Sequence, residues 1–325
     1  MARYKGGAKK NTGFSVGRVV DVVASGRDSF RSADEPLLVR VHVDPACPRN
    51  VALAVKAALV PQRPQATVEV RGLSLNPGDA SDCDLVLLLA APDCEACAKL
   101  ARGYARIGTN CALVVESAVD IPSLGLPEEQ QELVGCVAAS SPEALLPKLA
   151  CWMVSAGEKG VAVAAAFPFC RKAEVEALVT RCALENAAIG AVALVPGSDF
   201  PLMTANQAKM AFDIASAYGA CLTPERALEI AGVVAAGLGY RTLARTFAGL
   251  VPGFGWVLKA GIGYAGTVTT AKAVETWITR DKRERRKPKK PTAPVAADAV
   301  AQLPVKVAKP ESQAEKPEAF EYLTL

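Results

Sequence analysis

From Leu37 onward, short and nearly continuous apolar runs alternate with amphipathic stretches, and the alternation predicts strands and helices in turn. Leu37–Asp44 reads as a first strand and Arg49–Leu59 as a helix. Ala66–Arg71 alternates apolar and polar residues as a strand does. Asp84–Ala91 is a continuous apolar run after its first residue, the signature of a parallel strand buried on both faces. A helix over Glu95–Arg106, buried strands over Cys111–Glu116 and Gly135–Ala139, and a helix from Pro142 to about Val154 complete the series. Strands alternating with helices imply a doubly wound α/β domain with a mostly parallel sheet, placed at residues 37–155.

After Gly157 the strand signals stop, and residues 158–279 read as an all-α, Gly-rich helical domain. Val161–Phe169 is apolar and Ala-rich, and Glu174–Gly190 is helical. The run Pro196-Gly197-Ser198-Asp199-Phe200-Pro201 is a break. Thr204 and Gln207 have the spacing of a capping box, with Thr204 as the N-cap of a helix whose Met210, Ile214 and Ala217 share one face. Gly219 ends that helix. Leu194-Val195-Pro196-Gly197 recurs as Leu250-Val251-Pro252-Gly253, each copy between apolar stretches. This predicts two helical hairpins, in which Pro stops a helix and Gly turns the corner. Residues 1–36 are polar and Gly/Ser-rich and are expected to be a flexible basic arm, with a short helix around Val16–Ala24. Residues 280–325 are basic, then Pro-, Ala-, Glu- and Lys-rich, and are expected to be a disordered tail.

Charge refines this outline. The net charge is only +4, but Met1–Arg31 holds seven Lys/Arg against two Asp, and Arg280–Lys290 holds eight against two acidic residues. The second cluster, which includes Arg283, Arg285, Arg286, Lys287, Lys289 and Lys290, follows Trp277-Ile278 directly. An aromatic residue followed by a basic cluster is the pattern of a cytoplasmic membrane interface. The apolar stretch Thr246–Ala271 is long enough to span a bilayer, but Lys259 and Pro252-Gly253 interrupt it. Three readings stay open: a shallow or re-entrant hairpin with Lys259 snorkelling, a closely packed spanning bundle using Gly249 and Gly253, and the core of a soluble helical domain. No aromatics are interleaved with the basic residues, so nucleic acid is not an expected partner.

Candidate chemistry is sparse. A nucleotide-hydrolysing loop needs Gly and Lys after the first strand. Here the turn is Asp44-Pro45-Ala46-Cys47-Pro48-Arg49-Asn50, with no Gly and with two Pro that lack N–H donors. His42 is the only histidine, so a metal site built from several imidazoles cannot form, and no Ser-His-Asp triad is read around it. Cys94-x-x-Cys97 opens a helix after a strand. That spacing fits a redox dithiol or half of a metal site, but small buried Cys is the default for this pair, whose role is left open. The ten Cys are expected to be reduced thiols. No catalytic, cofactor-binding or metal-ligating residue is assigned, and a non-enzymatic protein is expected.

The run Pro196 to Met210, containing Pro196, Gly197, Asp199, Pro201, Thr204, Asn206 and Gln207, resembles a specific bacterial family, as do Ala217-Tyr218-Gly219 and Val251-Pro252-Gly253-Phe254-Gly255-Trp256 with Lys259. These motifs resemble the YcjF-like family of GTPase-associated, membrane-associated helical domains, over about residues 160–278. The resemblance implies a location at the cytoplasmic side of the cell membrane and a GTPase partner, and it implies no reaction. The function expected is a membrane-associated interaction protein that contacts the membrane surface or bilayer. The alternative is a soluble small-ligand or nucleotide-binding protein whose helical half makes a homo-oligomer.

Overall fold

The computed structural model describes residues 26–73, 83–92, 94–192, 200–220, 232 and 255–286. Five strands, β1 (Leu37–Val43), β2 (Ala66–Gly72), β3 (Leu85–Leu89), β4 (Asn110–Val115) and β5 (Val134–Ala138), form one sheet in the order β2-β1-β3-β4-β5. Every neighbouring pair is parallel, with Leu37 opposite Ala66, Val39 opposite Leu85, Leu85 opposite Asn110, and Cys111 opposite Val134. The α/β reading therefore holds, and each strand lies within a residue or two of its expected bounds. The apolar runs succeed as signals where a parallel strand is covered by helices and apolar on both faces, as β3 is. Leu85 to Leu89 are all buried.

Helices cover both faces. The α1 helix (Arg49–Ala58) and α4 (Pro142–Ser155) lie on one side. Val51 and Val55 of α1 and Leu145, Leu149 and Met153 of α4 meet Val39, Val41, Leu87 and Val114 of the sheet. The α2 helix (Glu95–Arg106) covers the other side, setting Leu100, Ala101 and Tyr104 against Val86, Leu88, Leu113 and Val115. Each fully buried Leu contributes on the order of 2 kcal/mol of transfer free energy. Ser141 caps α4 by accepting from the Ala144 N–H at 3.3 Å, with Pro142 in the first turn where its missing N–H is harmless. A single turn, α3 (Glu128–Gln131), precedes β5. Gly135 in β5 is required by close approach, because a Cβ there would fall on the Trp152 indole of α4.

No strand follows Ala138 among the described residues. The remaining elements are α5 (Gly160–Ala166), α6 (Arg171–Val192), α7 (Phe200–Ala217) and α8 (Gly255–Arg286). Sequence patterns divided the chain near Gly157, but Val163, Ala164, Ala166, Phe167, Cys170 and Ala217 share one core with α1, α4 and the sheet. A second core joins Val175, Leu178 and Cys182 of α6, Met210, Phe212 and Ile214 of α7, and Ala271, Val274 and Ile278 of α8. The chain divides into two compact units, Met1–Lys282 and Arg283–Leu325.

Two expectations change. Thr204 is not an N-cap: α7 begins at Phe200, with Pro201 in its first turn, so Thr204 is already inside the helix. Met210, Ile214 and Ala217 of α7 are buried on the face they share, and Asp213 and Ser216 are buried with them. The stretch read as a flexible arm contains helical residues at 26–33, with the Phe30 ring 6.5 Å from that of Phe212. Gly219 does end α7, at a φ of +72°. The two proposed Pro-Gly turns, Pro196-Gly197 and Pro252-Gly253, lie outside the described residues, as do the interruptions they were read to make. Among the described residues no helix is long and apolar enough to cross a membrane.

Candidate functional site

In a sheet of this order the connections run outward in opposite directions from β1 and β3, leaving a crevice at their carboxyl ends. Open α/β sheets bind ligands there. Asp44 lies at the end of β1, and its N–H donates to the Leu89 carbonyl at the end of β3 at 3.0 Å. Cys94 follows β3 as the N-cap of α2. The Cys94 thiol donates to Asp44 Oδ2 at 2.8 Å, and the Cys97 N–H donates to Cys94 Sγ at 3.3 Å. Asp44 Oδ1 accepts from the Ala46 N–H at 2.8 Å, which fixes the carboxylate. The ligand atoms of Asp44, Cys94 and Cys97 all lie within 4.8 Å of one another, and no other such cluster of His, Cys, Asp or Glu occurs among the described residues.

Electrostatics at this crevice are those of crowded acids. Burial, then the hydrogen bond and charge of Cys94, then Asp44, push the Cys97 thiol well above the ordinary range. Cys47 is half-buried on the Asp44 loop. Burial pushes it up to about 11, with Asp44 and Glu116 adding to the effect. Cys97 and Cys47 are therefore neutral thiols at physiological pH, unlike the low-pKa thiolates of redox catalysts. What the group can do is donate sulfur and oxygen to an ion, or form a disulfide in the presence of an oxidant.

The loop Asp44–Asn50 is the place where a nucleotide hydrolase would wrap phosphate. Pro48 precedes α1 with no side-chain cap, and Pro45 and Pro48 contribute no N–H groups.

Beneath α2, the sheet carries buried polar groups. Arg40 Nε meets Glu69 Oε2 at 3.1 Å, and Arg71 meets the same carboxylate at 2.9 Å. His42 Nε2 lies 2.8 Å from the Tyr104 hydroxyl, and burial lowers the His42 pKa. His42 is thus a satisfied core side chain.

The residues singled out from sequence do not converge on one place. Pro196, Gly197, Asp199, Pro252, Gly253, Lys287, Lys289 and Lys290 lie outside the described residues. Pro201, Thr204, Asn206 and Gln207 lie on α7, and Gly255, Trp256 and Lys259 on the first turns of α8. Arg283, Arg285 and Arg286 are on its last turn, so the helix runs past the expected boundary at residue 280. Asn206 donates to Glu185 at 3.3 Å, and buried Gln207 lies 3.4 Å from Thr267 Oγ1. The Tyr218 hydroxyl donates to Glu275 at 2.7 Å beneath the Arg171 guanidinium, 5.9 Å above the ring. These contacts join the helices to one another. Sequence reasoning noticed Cys94 and Cys97 but missed Asp44 and Cys47 as their neighbours. The available signal was a second pair with the same spacing, Asp44-x-x-Cys47, after another strand.

Comparison of the chain with protein-family models, curated proteins and solved structures finds no match.

Proposed function

We propose that this chain is a non-enzymatic interaction protein that works at the cytoplasmic face of the cell membrane as a partner or regulator of a GTPase. The observation carrying this reading is the pairing of a nucleotide-binding sheet order with a first loop unsuited to phosphate. The order is β2-β1-β3-β4-β5, yet the loop after β1 has no Gly and two Pro. Such a domain is suited to docking and not to hydrolysis. The helical half attaches to the membrane, and the basic run Arg283, Arg285, Arg286, Lys287, Lys289 and Lys290 meets anionic lipid. Each of these cations can add about 1 kcal/mol near an anionic surface. The resemblance of Pro196–Met210 and Val251–Trp256 to the YcjF-like family supports both the location and the partner type.

Cell fractionation tests this reading. The protein should sediment with membranes at low salt and be partly released at high salt, bringing a GTPase with it on affinity purification from solubilised membranes. Recovery in the soluble fraction at low salt would sink the reading.

A second reading, a soluble protein binding a small ligand, is favoured by an apolar groove of about 670 Å3 lined by Val41, Val43, Leu53, Val55, Val68 and Leu89. That volume falls within the range of small-molecule sites, about 300–1,000 Å3. Under this reading the helical half makes a homo-oligomer. The same fractionation separates the two.

A further inference from the structure

We propose that Asp44, Cys94 and Cys97 bind a thiophilic divalent cation of the zinc class at the crevice between β1 and β3. This goes beyond the interaction role and does not depend on it.

Three features support the assignment. The first is the donor set. Two sulfurs and one carboxylate oxygen select borderline-soft cations such as Zn2+, Co2+ and Cd2+ and disfavour Mg2+ and Ca2+, which require oxygen. The second is the spacing. Zn–S bonds of about 2.3 Å in a tetrahedral site put sulfurs roughly 3.8 Å apart. Ligand atoms already within 4.8 Å of one another need only small rotamer adjustments to reach that geometry. The third is support behind the ligands. The Ala46 N–H holds Asp44 Oδ1, leaving Oδ2 to face Cys94. The Cys97 N–H points at Cys94 Sγ at the start of a 12-residue helix and holds that sulfur in place beside Asp44.

The loop after β1 and the start of α2 supply the ligands, and only three protein ligands converge. The fourth position belongs to water. Asp44 is half-exposed and Pro45 and Ala46 are exposed, so an ion reaches the site from that side. When the ion binds, both thiols give up their protons to solvent and no electron is transferred.

The experiment is a Co2+ titration of the reduced full-length chain, followed by displacement with Zn2+. The expected result is one Co2+ per chain, with tetrahedral visible bands and a thiolate-to-cobalt charge-transfer band of two-thiolate intensity that zinc abolishes. Cys94→Ser and Cys97→Ser should each remove most of that band. Asp44→Asn should keep it but weaken affinity roughly tenfold or more. Circular dichroism checks folding. If the serine variants fail to fold, Asp44→Asn, on the exposed side, decides, and unchanged affinity there overturns the proposal. The proposal also falls if the folded wild-type chain gives no charge-transfer band, or if the band survives in both serine variants and the ion therefore sits among other cysteines. A chain purified with a Cys94–Cys97 disulfide that takes no cobalt after reduction would make the pair a redox dithiol and overturn it as well.

Discussion

Arg40 in the sheet and Glu174 on α6 are buried to the same degree, 3% and 4% exposed, and their surroundings treat them in opposite ways. Burial alone would lower the Arg40 guanidinium. Its hydrogen bonds to Tyr104 and Glu69 outweigh that, and its pKa ends above the ordinary value. Glu174 has no ion-pair partner within 4 Å among the described residues. Burial pushes its carboxyl up to about 7, with Arg181 and Lys209 opposing the shift and Asp213 reinforcing it. The same contrast extends to neutral groups. His42 and Tyr104 satisfy each other, whereas Asn186 Oδ1 and Ser216 Oγ in the helical half have no partner among the described residues. A buried charge that is paired fixes one arrangement, and a buried charge left unpaired makes its surroundings respond to pH.

The largest consequence falls on Glu174. A carboxyl whose folded-state pKa is raised binds its proton more tightly folded than unfolded. The stability this gives is fully present below the unfolded value, near 4.5, and is lost as pH rises through the folded value, about 7. A rise from 4.5 to about 7 corresponds to about 3 kcal/mol between pH 4 and pH 8. Glu174→Gln removes the titration. Urea denaturation should find the variant close to wild type at pH 4.5 and more stable by up to about 3 kcal/mol at pH 8. Equal stability at pH 8 would mean that Glu174 is ionised and compensated, and the contrast with Arg40 would vanish.

The second test removes compensation where it exists. Glu69→Ala leaves the buried Arg40 guanidinium with one fewer hydrogen-bonded acceptor and should cost about 2 kcal/mol, the lower end for a broken pair because the Glu69 side chain is 34% exposed. Glu69 is held below the usual carboxylate range by its hydrogen bond to Arg40, with Arg71 adding to it. The loss should therefore be constant across pH 5 to 8, and the wild-type advantage should fade only as pH falls through the Glu69 value. A loss that grew between pH 5 and 8 would contradict the pairing.

The two halves also differ in how legible they were. Strands such as Leu85–Leu89 could be read because burial on both faces writes itself into consecutive residues. The order of the strands could not, and the order is what brings Asp44 beside Cys94; no local pattern states that β1 neighbours β3. In the helical half the apolar period is blurred. Asp213 and Ser216 are buried beside Ile214, so polarity along the second half of α7 does not mark its orientation. The Thr204/Gln207 pattern matched a cap by spacing alone, while Phe200 and Pro201 start the helix a turn earlier. Phe30 is the one large apolar residue between 26 and 33; its ring meets Phe212, and Ser29 and Ala33 are buried as well, so a polar pattern hid a packed helix.

The smallest effect is expected at Asn186, and it tests the neutral side of the contrast. Its Nδ2 donates to Thr267 Oγ1 at 3.0 Å and to Cys182 Sγ at 3.3 Å, while Oδ1 accepts from no described residue. Thr267 of α8 also lies 3.4 Å from Gln207 Nε2 of α7, so one hydroxyl ties three helices together. Asn186→Leu deletes the bonds to that hydroxyl and to Cys182 Sγ, a loss of about 1–2 kcal/mol, and also deletes a buried carbonyl oxygen whose desolvation costs about 1–3 kcal/mol. Gln207 remains to serve Thr267, and leucine fills a similar volume. Denaturant titration should therefore place the variant within about 1 kcal/mol of wild type. A loss well beyond that would mean that the amide network, and not the apolar contacts of Phe212, Val274 and Ile278, sets the packing of α6, α7 and α8. The helical half would then depend on its polar interior as strongly as the sheet depends on Arg40.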